Sequence, residues 1–185
     1  MGEVHRRLLS TLVGRSDIAE GDHIYSWRTL LVYAHHGIYI GNGLVIHFTP
    51  PPEKVTASNP FSSLSSSSSA SGQDQQRTCP NHPRCGSRKA GSRVAIICLD
   101  CFLEEGLLWR YEYGVTSSKR LDGTCTTEQS DPASTVVRRA NYLFENGFGN
   151  YDLVTNNCEH FALYCKTGVG RSGQVDAYIS ACGIL

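Results

Sequence analysis

A cysteine becomes a nucleophile when its thiolate is favoured, a base stands within hydrogen-bond reach, and a third group orients that base. Cys158 lies in Asn156-Asn157-Cys158-Glu159-His160-Phe161, where the spacing predicts a helix that starts at Asn157 or Cys158, runs through Phe161 and Cys165, and stops at Gly168. A helix N-terminus carries partial positive charge and free N–H groups, which would lower the thiol pKa and could stabilise an oxyanion. Taken alone, a cysteine at a helix start is more often a small core hydrophobe. Candidate bases lie far upstream, in the segment Tyr33 to Phe48, which contains His35, His36 and His47. Its two apolar, β-branched runs flank Gly41-Asn42-Gly43, a hairpin signal because that turn needs positive φ. With the turn at Asn42, His35 and His47 are seven and five residues from it, roughly opposite on adjacent strands. Their imidazoles could meet on one face, one as base and one orienting it. Neighbouring strand residues point to opposite faces, so His35 and His36 cannot both join.

The elements that must position these groups read as strands followed by helices. Asp22 to Trp27, residues 94–98 and residues 107–115 are β-prone, and three prolines at 50–52 end the hairpin. Asp131-Pro132 supplies an N-cap and an N1 proline. Val136, Ala140, Leu143 and Phe144 mark one helical face, which Gly147 closes. The order of strands, insertion, strands and two helices is α+β, an antiparallel sheet followed by helices.

A second group of chemically capable residues sits in the middle of the chain. Cys79, His82 and Cys85 are followed by Cys98-Leu99-Asp100-Cys101. C-x2-C is a zinc knuckle, and a structural site needs four Cys or His donors. The five residues between Cys79 and Cys85 make the first arm irregular, so the fourth ligand beside Cys85, Cys98 and Cys101 is either Cys79 or His82. Unpaired thiols or a disulfide are the alternatives. The remaining cysteines, Cys125, Cys165 and Cys182, have no spacing that suggests chemistry. Cys165, two turns beyond Cys158, reads as a core thiol.

The chain has 185 residues, room for one domain plus an appendage at about 150 residues per domain. Its 17 Lys plus Arg balance 17 Asp plus Glu, so no global field draws it to nucleic acid. At 40% hydrophobic the chain can build a core, which excludes disorder throughout. Eight of the ten residues 62–71 are serine, a loop that cannot repay ordering. Arg77, Arg84, Arg88, Lys89 and Arg93 form a basic stretch without an acid, read as a solvated face. No signal peptide or 18-residue apolar run is present, so the expectation is a cytoplasmic protein with reduced thiols, peripheral to a membrane at most. Gly2 fits myristoylation poorly, because Arg6 replaces the expected Ser or Thr, and Cys182-Gly183-Ile184-Leu185 is a marginal prenylation box.

Gly21-Asp22 through His35 to His47-Phe48, together with Asn157-Cys158-Glu159-His160-Phe161, resembles the lecithin:retinol acyltransferase (LRAT) domain. Within that family the chain is most similar to the plant, lead-sensitivity type, which carries a comparable cysteine-bearing insertion with a tighter C-P-x-C-G arm. The resemblance implies a circularly permuted papain-like (NlpC-type) fold over residues 20–172, interrupted by the Ser-rich loop at 58–76 and by the cysteine-bearing insertion at 77–103, for which zinc binding is one of the expectations above, with a tail at 173–185. It implies that His35 is the general base, that His47 orients it, and that Cys158 takes an acyl group as a thioester without a catalytic cofactor. The donor it implies is a lipid acyl ester and the acceptor an amine, alcohol or water. His36 stands where animal members carry a bulky apolar residue. The competing expectation is a non-catalytic scaffold or regulator in stress or metal-ion response, and a weaker one is a peptidase of the parent fold.

Overall fold

The computed structural model of the protein describes residues 12–28, 33–50, 79–116 and 124–169. At its centre, β1 (His23–Arg28), β2 (Tyr33–Tyr39) and β3 (Leu44–Phe48) run antiparallel. The turn joining β2 to β3 has positive φ at Gly41, Asn42 and Gly43 (84°, 52° and 70°), the conformation that glycine and asparagine tolerate. Two-residue β4 (Ser87–Arg88), then β5 (Val94–Cys98), and two-residue β6 (Trp109–Arg110) complete a sheet in the order β4-β5-β3-β2-β1-β6. The long strand expected over 107–115 is thus short: beyond β6, Glu112 makes an isolated bridge to Cys125.

Among the described residues three α-helices cover the sheet. The first, α1 (Leu99–Leu103), is a single turn after β5 that the sequence did not announce. The second, α2 (Ala133–Asn146), begins one position later than expected, with Pro132 as N-cap, because the Asp131 carboxylate binds Arg139 Nη1 at 2.5 Å instead of capping. The third, α3 (Cys158–Thr167), has Asn157 as N-cap and Gly168 closing it at φ 70°. Strand alternation divides the core. On one face Ile38, Leu44, Ile46 and Phe48 meet Val136, Ala140, Leu143 and Phe144 of α2 and Phe161, Ala162 and Cys165 of α3. On the other, Ile24 and Val45 meet Leu99, Phe102 and Leu103 of α1. Cys165 is a core thiol, as its spacing suggested.

Gly37 shows how closely α1 approaches the sheet. A Cβ there would lie 2.6 Å from Val45 Cγ1 and 3.0 Å from Phe102 Cε2, so any larger residue would push the Phe102 ring off β2. Among the described residues no helix is long and apolar enough to cross a membrane. The Ser-rich loop at 58–76, Arg77, the tail at 173–185 and Cys182 lie outside the described residues.

Candidate active site

His35 and His47 project from β2 and β3 on the α1 side of the sheet. The register pairs His47 with Gly37, so His35 lies two residues further along and meets His47 diagonally, not directly across as expected. The rings still touch: His35 Nε2 is 2.6 Å from His47 Nδ1, and the ring planes are 85° apart. Phe102 floors both, its centroid 5.2 Å from the His35 ring and 6.3 Å from the His47 ring. Arg28 holds Phe102 in place by donating to the carbonyl oxygens of Phe102 and Leu103, the latter at 2.7 Å. The sequence reading missed Phe102 and Arg28, since neither type nor spacing marks them until α1 is seen to fold back on the sheet.

Cys158 starts α3. Its sulfur lies 3.8 Å from the Ala34 carbonyl oxygen, and the His36 amide also donates toward it. The thiol therefore rests on the two peptide units that bracket His35. Among the described residues no hydrogen bond joins it to an imidazole, and His35 Nδ1 is left over once Nε2 engages His47.

Two expectations about this cysteine are corrected. Two of the helix amides expected to be free are taken: Asn157 Oδ1 accepts from Glu159 N at 2.9 Å and His160 N at 3.2 Å. The thiol is not acidified either. Burial pushes Cys158 up to about 11, and the Glu159 charge adds to this, although the amides of His36, Cys158 and Glu159 pull the other way. With Cys158 6% exposed, loss of hydration outweighs the helix dipole. Burial likewise pushes His35 down to about 3, with Arg28 adding to the effect, and holds His47 well below the usual imidazole range. At rest the Cys158 thiol is neutral, and so are the two imidazoles on the α1 side of the sheet.

Residues 16–171 match the sequence profile described as lecithin retinol acyltransferase. The chain belongs to this family. It is 44% identical over 184 residues to Protein LEAD-SENSITIVE 1 of Arabidopsis thaliana, an alignment covering 93% of this chain and 69% of that protein. It is 28% identical over 171 residues to lecithin retinol acyltransferase of Mus musculus, covering 92% of this chain and 63% of the relative. It is also 26% identical over 165 residues to human phospholipase A and acyltransferase 3, covering 89% and 80% respectively. The family therefore includes proteins named for acyl transfer and phospholipase action, and the α+β architecture with its antiparallel sheet is compatible with it.

In this LRAT-family chain His36 takes part in a second polar chain on the opposite face. His36 Nδ1 is 2.8 Å from His23 Nε2, and His23 Nδ1 is 2.8 Å from the Tyr113 hydroxyl. His23 stacks on Tyr111 at 4.3 Å, and His36 stacks on Tyr25 at 5.4 Å. The Tyr111 hydroxyl lies 3.1 Å from the Cys125 carbonyl oxygen and 3.3 Å from Oε1 of Glu159, the residue after the cysteine, and its one proton serves either acceptor. His23 was missed, yet the signal was present: His23 and Tyr25 alternate with Ile24 in β1, which places both on the His36 side.

The second cysteine group also assembles. The sulfurs of Cys79, Cys85, Cys98 and Cys101 all lie within 4.8 Å of one another. His82 is not among them, because its Nδ1 accepts from the Arg84 amide at 3.1 Å. The open choice between Cys79 and His82 thus falls to Cys79.

Proposed function

We propose that this protein is a thiol-dependent acyltransferase or phospholipid acyl hydrolase working through an acyl-thioester on Cys158. The observation that carries the reading is the His35–His47 pair, with His35 on β2, the strand whose backbone holds the Cys158 thiol at the start of α3. Relatives named for lecithin and phospholipase chemistry support a glycerophospholipid acyl ester as donor. The order of the chain, histidine strands before cysteine helix, supports a circularly permuted papain-like fold. A peripheral contact with a lipid surface, on the cytoplasmic side, belongs to the same reading.

With His35 Nε2–H donating to His47 Nδ1, His35 Nδ1 presents a lone pair and takes the thiol proton. The sulfur attacks the ester carbonyl carbon, an S–C bond forms, and the carbonyl π pair moves to oxygen. As that oxyanion collapses, the ester C–O bond breaks and His35 returns its proton to the departing lysophospholipid oxygen. An amine, alcohol or water then loses a proton to His35 and attacks the thioester, and the sulfur leaves as thiolate and recovers that proton. His47 keeps His35 in the productive tautomer and bears part of the imidazolium charge, the task of a triad's third member. No cofactor enters these steps.

A second reading, a regulatory scaffold, draws on the deep burial of the thiol and on the relative named for lead sensitivity instead of a reaction. Phosphatidylcholine carrying a labelled acyl chain separates the two when offered with and without phosphatidylethanolamine. The enzyme reading expects lysophospholipid together with N-acyl product or free fatty acid, all lost in Cys158→Ala. No acyl release by the wild type would favour the scaffold.

A further inference from the structure

We propose that Cys79, Cys85, Cys98 and Cys101 hold one zinc ion as a four-thiolate structural site, and that this site fixes α1 so that Phe102 stays against the His35–His47 pair. Four Zn–S bonds of about 2.3 Å set neighbouring sulfurs about 3.8 Å apart along the edges of a tetrahedron. Cys79 Sγ lies 3.8 Å from Cys98 Sγ and 3.6 Å from Cys101 Sγ, and all four sulfurs fall within 4.8 Å. These separations greatly exceed the roughly 2.05 Å of a disulfide. A disulfide would also pair two sulfurs, whereas here Cys79 approaches two partners at once.

The backbone around the sulfurs is arranged as metal-bound thiolates require. Amides donate to them: Cys98 N to Cys85 Sγ at 3.1 Å, and Cys101 N to Cys98 Sγ at 3.5 Å. Rigid elements fix the donors, since Cys98 is the last residue of β5, paired with Leu44, and Leu99 N donates to Gly43 O at 2.8 Å. The first arm is turned by Cys85 N donating to His82 O at 3.0 Å and joined to the sheet by Gly86 N donating to Ile96 O at 2.8 Å. On binding, the four thiols release their protons, and the ion with four thiolates carries two net negative charges. Between Cys79 and Cys98 the sequence carries Arg84, Arg88, Lys89 and Arg93 and no acidic residue, with Lys89 paired to Glu145 at 2.6 Å. An all-sulfur tetrahedral donor set selects zinc over the oxygen-preferring cations.

The site also acts on its surroundings. α1 is a single turn and cannot hold itself. Cys98 caps its start and Cys101 lies within it, so the metal would pin one end while Arg28 pins the other through the Phe102 and Leu103 carbonyls. Phe102, next to Cys101, is thereby held under both imidazoles.

The test is metal analysis of the full chain purified without chelator or added metal. One zinc per chain is expected, lost from Cys79→Ser and Cys101→Ser and retained in His82→Ala. Cobalt in place of zinc should give the absorption bands of a tetrahedral four-thiolate site, a readout that needs no variant to fold. Wild type that is metal-free or loaded with iron would overturn the site, as would full zinc retention in Cys79→Ser. The positioning role is read from imidazole ¹⁵N resonances on zinc removal: those of His35 and His47 should shift and those of His23 and His36 should not. Unchanged His35 and His47 resonances would overturn that role. Neither measurement depends on finding an acyl substrate.

Discussion

His35 reaches His47 on the diagonal of the hairpin, Nε2 to Nδ1 at 2.6 Å, while the residue directly across from His47 is Gly37. In the proposed reaction this offset gives the two imidazoles unequal duties. His35 lies between the peptide units that hold the Cys158 sulfur, whereas His47 reaches that strand through His35 Nε2. His35→Ala should therefore lower acyl turnover by about 10² to 10⁴. His47→Ala should be milder by roughly one to two orders of magnitude, as when a triad loses its orienting member. His47→Gln, which keeps an acceptor for the Nε2–H, should recover part of the loss. Equal losses in His35→Ala and His47→Ala would contradict this division.

The buried thiol has a pH signature. With Cys158 pushed up to about 11, about one molecule in ten thousand carries the thiolate at pH 7. The rate of iodoacetamide alkylation at Cys158 should rise about tenfold per pH unit from 7 to 9, without a plateau. A rate already level near pH 6, the mark of a preformed thiolate–imidazolium pair, would show that the helix dipole outweighs burial.

Four buried or half-buried imidazoles also make the fold acid-sensitive. Burial holds His23, His35, His36 and His47 below their unfolded value near 6.5, His35 and His36 at about 3. A lowered histidine pKa means that the unfolded chain binds the proton more readily, so this stability is complete above pH 6.5 and is lost as pH falls toward 3. Each such histidine contributes a slope of about 1.4 kcal/mol per pH unit in that window. Denaturant midpoints should be flat from pH 7 to 8 and fall steeply below 6, and His23→Gln should flatten the fall. A midpoint unchanged between pH 7 and pH 5 would contradict the buried neutral state.

How much of this was legible beforehand can be seen element by element. The hairpin, both long helices, their closing glycines and the apolar stripe Val136, Ala140, Leu143, Phe144 follow from local rules, because turn chemistry and periodicity are written in neighbouring residues. The diagonal offset of His35 was not legible, since it depends on how many residues the Gly41-Asn42-Gly43 turn consumes. The acidity of Cys158 was misjudged for a related reason: the helix dipole is visible in sequence, whereas the burial that overrides it comes from strands more than a hundred residues earlier. Phe102 and Arg28 are pure tertiary contributions. In the cysteine group, spacing identified the C-x2-C arm, and the chain path through Asn81 and His82 was needed to choose Cys79.

The N-cap of α3 links stability to the proposed nucleophile. Asn157 Oδ1 accepts from two amides of the turn that carries Cys158, and its Nδ2 donates to Leu153 O at 2.8 Å. Asn157→Ala should cost about 1 kcal/mol of stability in denaturant titrations. Asn157→Asp, which keeps the acceptor, should recover most of that loss. A loss in Asn157→Asp as large as in Asn157→Ala would assign the effect to the Leu153 contact instead.

In the proposed reaction Cys158 carries the acyl group covalently between donor and acceptor. Intact-protein mass spectrometry after brief incubation with phosphatidylcholine, quenched in acid, reads it directly. The account predicts a mass increase of one acyl chain, located at Cys158, removed by neutral hydroxylamine and lacking in Cys158→Ser when treated the same way. Acyl release by wild type with no such adduct at any time, or an equal hydroxylamine-labile adduct in Cys158→Ala, would contradict it.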